Sequence, residues 1–184
     1  FFFGSDYYAR QEHHVAEQYA LMLFSLVGGF ILTSYTSMLM LFIGIEILSI
    51  PLYILAGGKK QSLRSNEASF KYFLLGSFST AFLLMGITLL YGLTGSFHLE
   101  ALAAHMASTG TGDMVQNFGL FFVVTGLAFK VGAVPFHFWV PDVYQGAPTL
   151  VTIFMSTVVK MAGFAAFFRF IDITGMPDAL ARIM

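Results

Sequence analysis

The 184-residue chain is 57% hydrophobic and only 10% charged, with a mean hydropathy of +0.77. A soluble domain carries about 25% charged residues, so a water-exposed globule is a poor fit, and a net charge of −1 gives no footprint for nucleic acid. Cysteine is absent, which removes disulfides, thiolate metal sites and a cysteine nucleophile.

In chain order, Phe1–Gln18 is mixed and reads as an interfacial leader. Its His13–His14 pair does not make a metal site, because adjacent residues point about 100° apart on a helix and no third ligand follows at helical spacing. A membrane crossing needs about 20 apolar residues. Five runs meet that test, and the expected fold is all-α: a polytopic membrane bundle over 19–170 made of helices 19–35, 38–55, 67–94, a broken 115–147 and 148–169. Residues 171–184 are a tail, and the whole is expected to be a piece of a longer protein. Small residues recur inside the runs (Gly28-Gly29, Gly76-Ser77, Ser79-Thr80), and small residues let membrane helices approach closely.

The connection Gly57–Asn66 holds Lys59, Lys60 and Arg64 without an acid, which marks the cytoplasmic side. The connection Gly95–Met114 has neither Lys nor Arg and falls on the opposite side. Within it Leu99, Leu102, Ala103 and Met106 have helical spacing behind Ser96 as N-cap, so an amphipathic surface helix is expected over 96–107. Ser65 or Asn66 is expected to cap the third crossing, where Glu67 and Lys71 form an i, i+4 pair. Lys71 has two readings: an interfacial anchor whose stem snorkels, or the cytoplasmic-side member of a buried charge series.

Glu46 lies about eight residues, or roughly 12 Å, into its helix, and Lys130 and Lys160 fall at similar depth by separate counts. A charged group at a helix centre costs about 2.5–3.5 kcal/mol on insertion scales, so the three are expected to face one another or a wet cavity. They form either a Glu46–Lys130 ion pair that pins helices, with Lys160 neutral, or a chain of proton sites whose ionisation depends on small movements. Gly132 and Pro135 break the helix just beyond Lys130, and irregular backbone at membrane depth is tolerated only inside protein or beside a cavity. Pro51 softens the Glu46 helix in the same way. His137 is either a relay or a packed histidine, and Trp139 and Tyr144 read as interface anchors. Nothing suggests bond-making chemistry, and the chain itself is expected to bind no metal or cofactor.

Three runs carry a resemblance: LFIGIEILSIPLYILAG, EASFKYFLLGSFSTAFLLMGITLLYGLTGSF and LAFKVGAVPFHFWVPDVYQGAPTLVTIFMSTVVKMAGF. Together they resemble the antiporter-like membrane subunits of proton-pumping NADH:quinone oxidoreductase, respiratory complex I. The resemblance covers about Tyr19–Arg169 and implies helices 4 to 8 of about fourteen, one of two repeats of inverted topology. It implies that Glu46, Lys71, Lys130 and Lys160 are proton-translocating residues, with the second repeat outside this chain. It also implies that NADH, quinone, flavin and iron–sulfur clusters belong to partner subunits. The implied partners are neighbouring antiporter-like and small membrane subunits together with the lipid bilayer. The implied location is an energy-transducing membrane, the bacterial inner membrane above all. Two rival readings are a subunit of a multisubunit cation/proton antiporter and a structural spacer of a membrane complex.

Overall fold

A computed structural model describes residues 15–110 and 113–175; residues 1–14 of the leader, His13 and His14 among them, and the end of the tail lie outside the described residues, and the last four leader residues, 15–18, belong to the first helix. The order is α1 (Val15–Ser34), α2 (Met38–Ala56), α3 (Leu63–Thr94), α4 (Leu99–Thr109), α5 (Met114–Val131), α6 (Trp139–Gly146) and α7 (Thr149–Phe154). A π-helical turn at Met155–Val159 then leads into α8 (Lys160–Thr174). Among the described residues the only β-type pairing is an isolated bridge between Ser37 and His98. Five helical stretches are long and apolar enough to cross a membrane: Ala16–Ser34, Met38–Ala56, Leu63–Thr94, Met114–Val131 and Thr149–Thr174. The protein is an all-α polytopic membrane bundle. Large apolar side chains such as Phe24, Phe78, Phe121 and Phe168 point outward, as lipid or a neighbouring membrane subunit requires.

Two backbone contacts set the bundle. In the first, α1 lies on α2, where a Cβ on Gly28 would come within 2.7 Å of the Leu48 Cα, and the Ser25 hydroxyl donates to the Leu48 carbonyl at 2.8 Å. In the second, α3 lies along α5, where a Cβ on Gly86 would meet the Gly119 carbonyl oxygen and the Val123 nitrogen at 2.7 Å. The obstruction there is backbone, which cannot rotate away. Overpacking a core costs about 1–3 kcal/mol even where side chains can adjust. Gly86→Val is therefore expected to separate α3 from α5 and to lower the assembled, detergent-extracted protein sharply, read by size-exclusion chromatography against the same change at Gly92, which has open space around it.

Four boundaries differ from the sequence reading, the first being the start of the first helix, which is Val15 rather than 19. The third crossing begins at Leu63 rather than 67, because Ser62 takes the cap position and accepts the Ser65 amide. Ser65 and Asn66, expected as caps, instead tie the basic loop down: the Ser65 hydroxyl donates to the Ala56 carbonyl at 2.7 Å and the Asn66 amide to the Lys60 carbonyl at 3.1 Å. The surface helix α4 starts at Leu99 with His98, not Ser96, at its cap position; the Ser96 hydroxyl accepts the His98 amide just outside. Leu99 and Leu102 are buried, and α4 packs on α3 and α8 as well as lying along the bundle end. The last crossing runs on to Thr174 and closes at Gly175, which has φ +64°.

Candidate functional site

Lys130 sits in the last turn of α5, a position favoured for a cation because the carbonyl end of a helix is its negative end. Its side chain is 6% exposed, and its ammonium donates to the Ser49 hydroxyl at 2.6 Å. That hydroxyl in turn donates to the Ile45 carbonyl within α2. Lys130 also lies 5.9 Å from the centre of the Tyr72 ring.

Glu46 is half-buried one turn before Ser49 on α2, and its carboxylate accepts a hydrogen bond from the Thr80 hydroxyl of α3 at 2.9 Å. The ion pair considered from the sequence does not form: among the described residues no salt bridge joins Glu46 to Lys130. The reason is the rotation of α2, which turns Ser49 toward the ammonium and Glu46 toward Thr80.

Between these groups is a cavity of about 10 Å³, lined by Ser49, Tyr53, Tyr72, Ser79, Thr80 and Lys130 with Ile45, Gly76, Leu83, Gly126 and Phe129. That is about the room one water needs. The buried Tyr72 hydroxyl lines it and has no hydrogen-bond partner among the described residues. The sequence reading missed these hydroxyl groups. Ser49 lies three residues after Glu46 and Thr80 sits in a small-residue run, so each looked like packing rather than like a proton-bearing group.

The helix break is built to leave few carbonyls unpaired. Gly132 ends α5 in the left-handed region (φ +70°), and Pro135 follows in the irregular link before α6, after a cis Val134–Pro135 bond. The Ala133 amide reaches the Ala128 carbonyl at 2.9 Å, and the Gly132 amide reaches that of Phe129 at 3.0 Å. The Trp139 indole also donates to the Phe129 carbonyl, at 3.1 Å. The Val131 carbonyl accepts from the Lys160 ammonium at 2.6 Å. Lys160 thus caps the broken helix from across the bundle. It follows directly on the π turn, whose extra residue re-aims the side chains after it.

Trp139, read from the sequence as an interface anchor, is instead in the core at 2% exposure. Its ring stacks on Tyr72 at 4.8 Å and on Phe129 at 5.4 Å. The indole had both an apolar body and a donor to satisfy, and the broken helix offers a carbonyl for that donor.

Two of the sequence-selected residues stand apart. Lys71 is at the basic-loop end, 2.7 Å from both Glu67 and Asp142, with its side chain 40% exposed. The group borders an open cleft of about 250 Å³ shared with Arg64 and Gln145. His137 is exposed on the link between α5 and α6 and does not join Lys130. Among the described residues no cluster of three His, Asp or Glu side chains could hold a metal ion.

Residues 36–183 match the family described as NADH:quinone oxidoreductase/Mrp antiporter, transmembrane. The chain is 54% identical over 165 residues to "NADH-quinone oxidoreductase subunit N" of Cytophaga hutchinsonii, which covers 90% of this chain and 35% of that protein. It resembles a chain of respiratory complex I from Thermus thermophilus with bound aureothin, with a TM-score of 0.73 and 42% identity over 83% of this chain and 34% of the other. It also resembles a chain of the membrane-bound sulfane sulfur reductase, an archaeal respiratory membrane complex, with a TM-score of 0.73 and 31% identity over 85% and 31%. The chain therefore spans about a third of the length of the relatives it matches.

Proposed function

Because the chain belongs to the NADH:quinone oxidoreductase/Mrp antiporter family, we propose that it is part of a proton-translocating membrane subunit of NADH:quinone oxidoreductase. One observation carries the reading: Lys130, nearly fully buried, is held by a hydroxyl at the end of a broken helix, with Lys160 bonded to the adjoining Val131 carbonyl and Glu46 one turn from Ser49 on the same helix. Ionisable groups are retained at membrane depth where they serve an ion pathway, and discontinuous helices lie at transporter ion sites.

Protons enter at the basic-loop end, where Lys71, Glu67 and Asp142 border the open cleft. They reach the Glu46–Thr80 and Lys130–Ser49 groups through the hydroxyl-lined cavity and pass to Lys160. Pro135 and Gly132 keep the backbone there free to adjust. Electron transfer from NADH to quinone, with its flavin and iron–sulfur centres, belongs to partner subunits, and the assembly resides in the bacterial inner membrane.

Reconstitution of the intact complex in proteoliposomes tests this against the antiporter reading. NADH-driven proton transport is expected, and Glu46→Gln is expected to slow its proton-transfer step by about a hundredfold or more, the ordinary contribution of a positioned acid–base group. Sodium flux that proceeds without NADH would favour the cation/proton antiporter instead. A double Glu46→Gln, Lys130→Met complex that turns over and pumps normally would leave only a spacer.

A further inference from the structure

We propose that Trp139 is the positioning residue for Lys160, an inference that rests on the proton-translocation reading above. The Lys160 ammonium lies 5.2 Å from the centre of the Trp139 ring while it donates to the Val131 carbonyl. A lysine side chain is long and flexible, with several rotatable bonds. One hydrogen bond fixes the distance of its ammonium from an oxygen but not its direction. The aromatic face supplies the second restraint, and cation–π attraction is strongest where water is excluded.

The ring is itself held on three sides. Its Nε1–H donates to the Phe129 carbonyl at 3.1 Å, and it stacks on Tyr72 with an interplanar angle of 12° and on Phe129 with one of 25°. A packed indole with its only donor satisfied cannot turn without breaking the cap of α5. Two carbonyls of one helix end, Phe129 and Val131, therefore hold the indole and the ammonium in register. Tyr72, the stacking partner, lies against the ammonium of Lys130. The Tyr72–Trp139 pair thus presents one ring to each of the two lysines and fixes the gap across which, in the proposed pathway, the protonated amine of one hands its proton to the neutral amine of the other.

The test uses the intact complex in vesicles, with assembly, electron transfer and protons moved per electron measured on each variant. Trp139→Leu is expected to assemble and transfer electrons but to pump about tenfold more slowly, the order of effect of losing a part-buried cation–π contact. Trp139→Phe, which keeps an aromatic face, is expected to recover most of that loss. A density map of the Trp139→Leu complex is expected to show the Lys160 ammonium withdrawn from the Val131 carbonyl. An unmoved ammonium, unchanged pumping, or Trp139→Phe as impaired as Trp139→Leu at equal assembly overturns the inference. If Trp139→Leu does not assemble, the map is taken on Trp139→Phe, where Lys160 held on the smaller ring supports the inference and Lys160 facing away from it overturns it. Lys160→Met separates the two levels. Normal pumping in that variant defeats the proton reading itself, whereas lost pumping beside a fully active Trp139→Leu defeats only the positioning role.

Discussion

Lys130→Met in the intact complex is expected to stop proton translocation through this subunit and to lower coupled NADH oxidation, while the complex still assembles. Methionine keeps the length and apolar stem of lysine but carries no proton. The proton-transfer step should slow by about a hundredfold or more, the ordinary contribution of a positioned acid–base group. Assembly should survive because replacing a buried ionisable group by an apolar side chain of similar volume is often neutral or stabilising. Ser49 would lose its donor from Lys130 but would keep its own bond to the Ile45 carbonyl. The pattern expected is therefore normal subunit content with lost pumping, measured as acidification of inverted vesicles per NADH oxidised. Lys71→Met is the comparison: Lys71 is part-exposed at the open entry cleft, where water itself can carry the proton past the lost side chain, so its loss should be much smaller. Unchanged pumping in Lys130→Met would remove the proposed pathway altogether.

Gly132→Ala is expected to destabilise the protein and to unseat Lys160 in one step. Gly132 has φ +70°, and a Cβ there would come within 2.7 Å of the Lys160 ammonium and 2.9 Å of the Val140 side chain. The left-handed conformation costs a non-glycine residue about 1–2 kcal/mol. Pushing the ammonium off the Val131 carbonyl removes a hydrogen bond to a charged group, worth about 1.5–3 kcal/mol. Gly95→Ala isolates the first contribution, because Gly95 has φ +64° with nothing near its missing side chain. Thermal unfolding of the purified complex should show Gly132→Ala less stable than Gly95→Ala, and only the former should lose pumping. Equal losses of stability and equal pumping would mean that Lys160 does not depend on the space at Gly132.

Hydropathy and charge are summed along one dimension, so some features were legible before any coordinates. The apolar runs dictated an all-α membrane bundle. Glu46, Lys130 and Lys160 stood out because charge inside such a run is expensive, and the Gly132–Pro135 spacing announced a helix that could not continue. What touches each charge is set by the rotation of a helix about its axis and by where two backbones come close, and neither is written in a hydropathy profile. Rotation of α2 gave Lys130 the Ser49 hydroxyl and gave Glu46 that of Thr80. The Gly86 and Gly28 contacts fixed how near those faces came.

Trp139 shows the same limit. A tryptophan near the end of an apolar run satisfies its ring and its donor equally well at a membrane surface or over a broken helix. Only the tertiary structure, by placing the Phe129 carbonyl at the helix end within reach of the indole, decided between them. The sequence alone determined that these charges lie within runs long and apolar enough to cross a membrane. The packing of the other four crossings around the broken one decided which hydroxyl, carbonyl or aromatic face each of them meets, because a hydrogen bond at 2.6 Å depends on geometry between helices that no single helix contains.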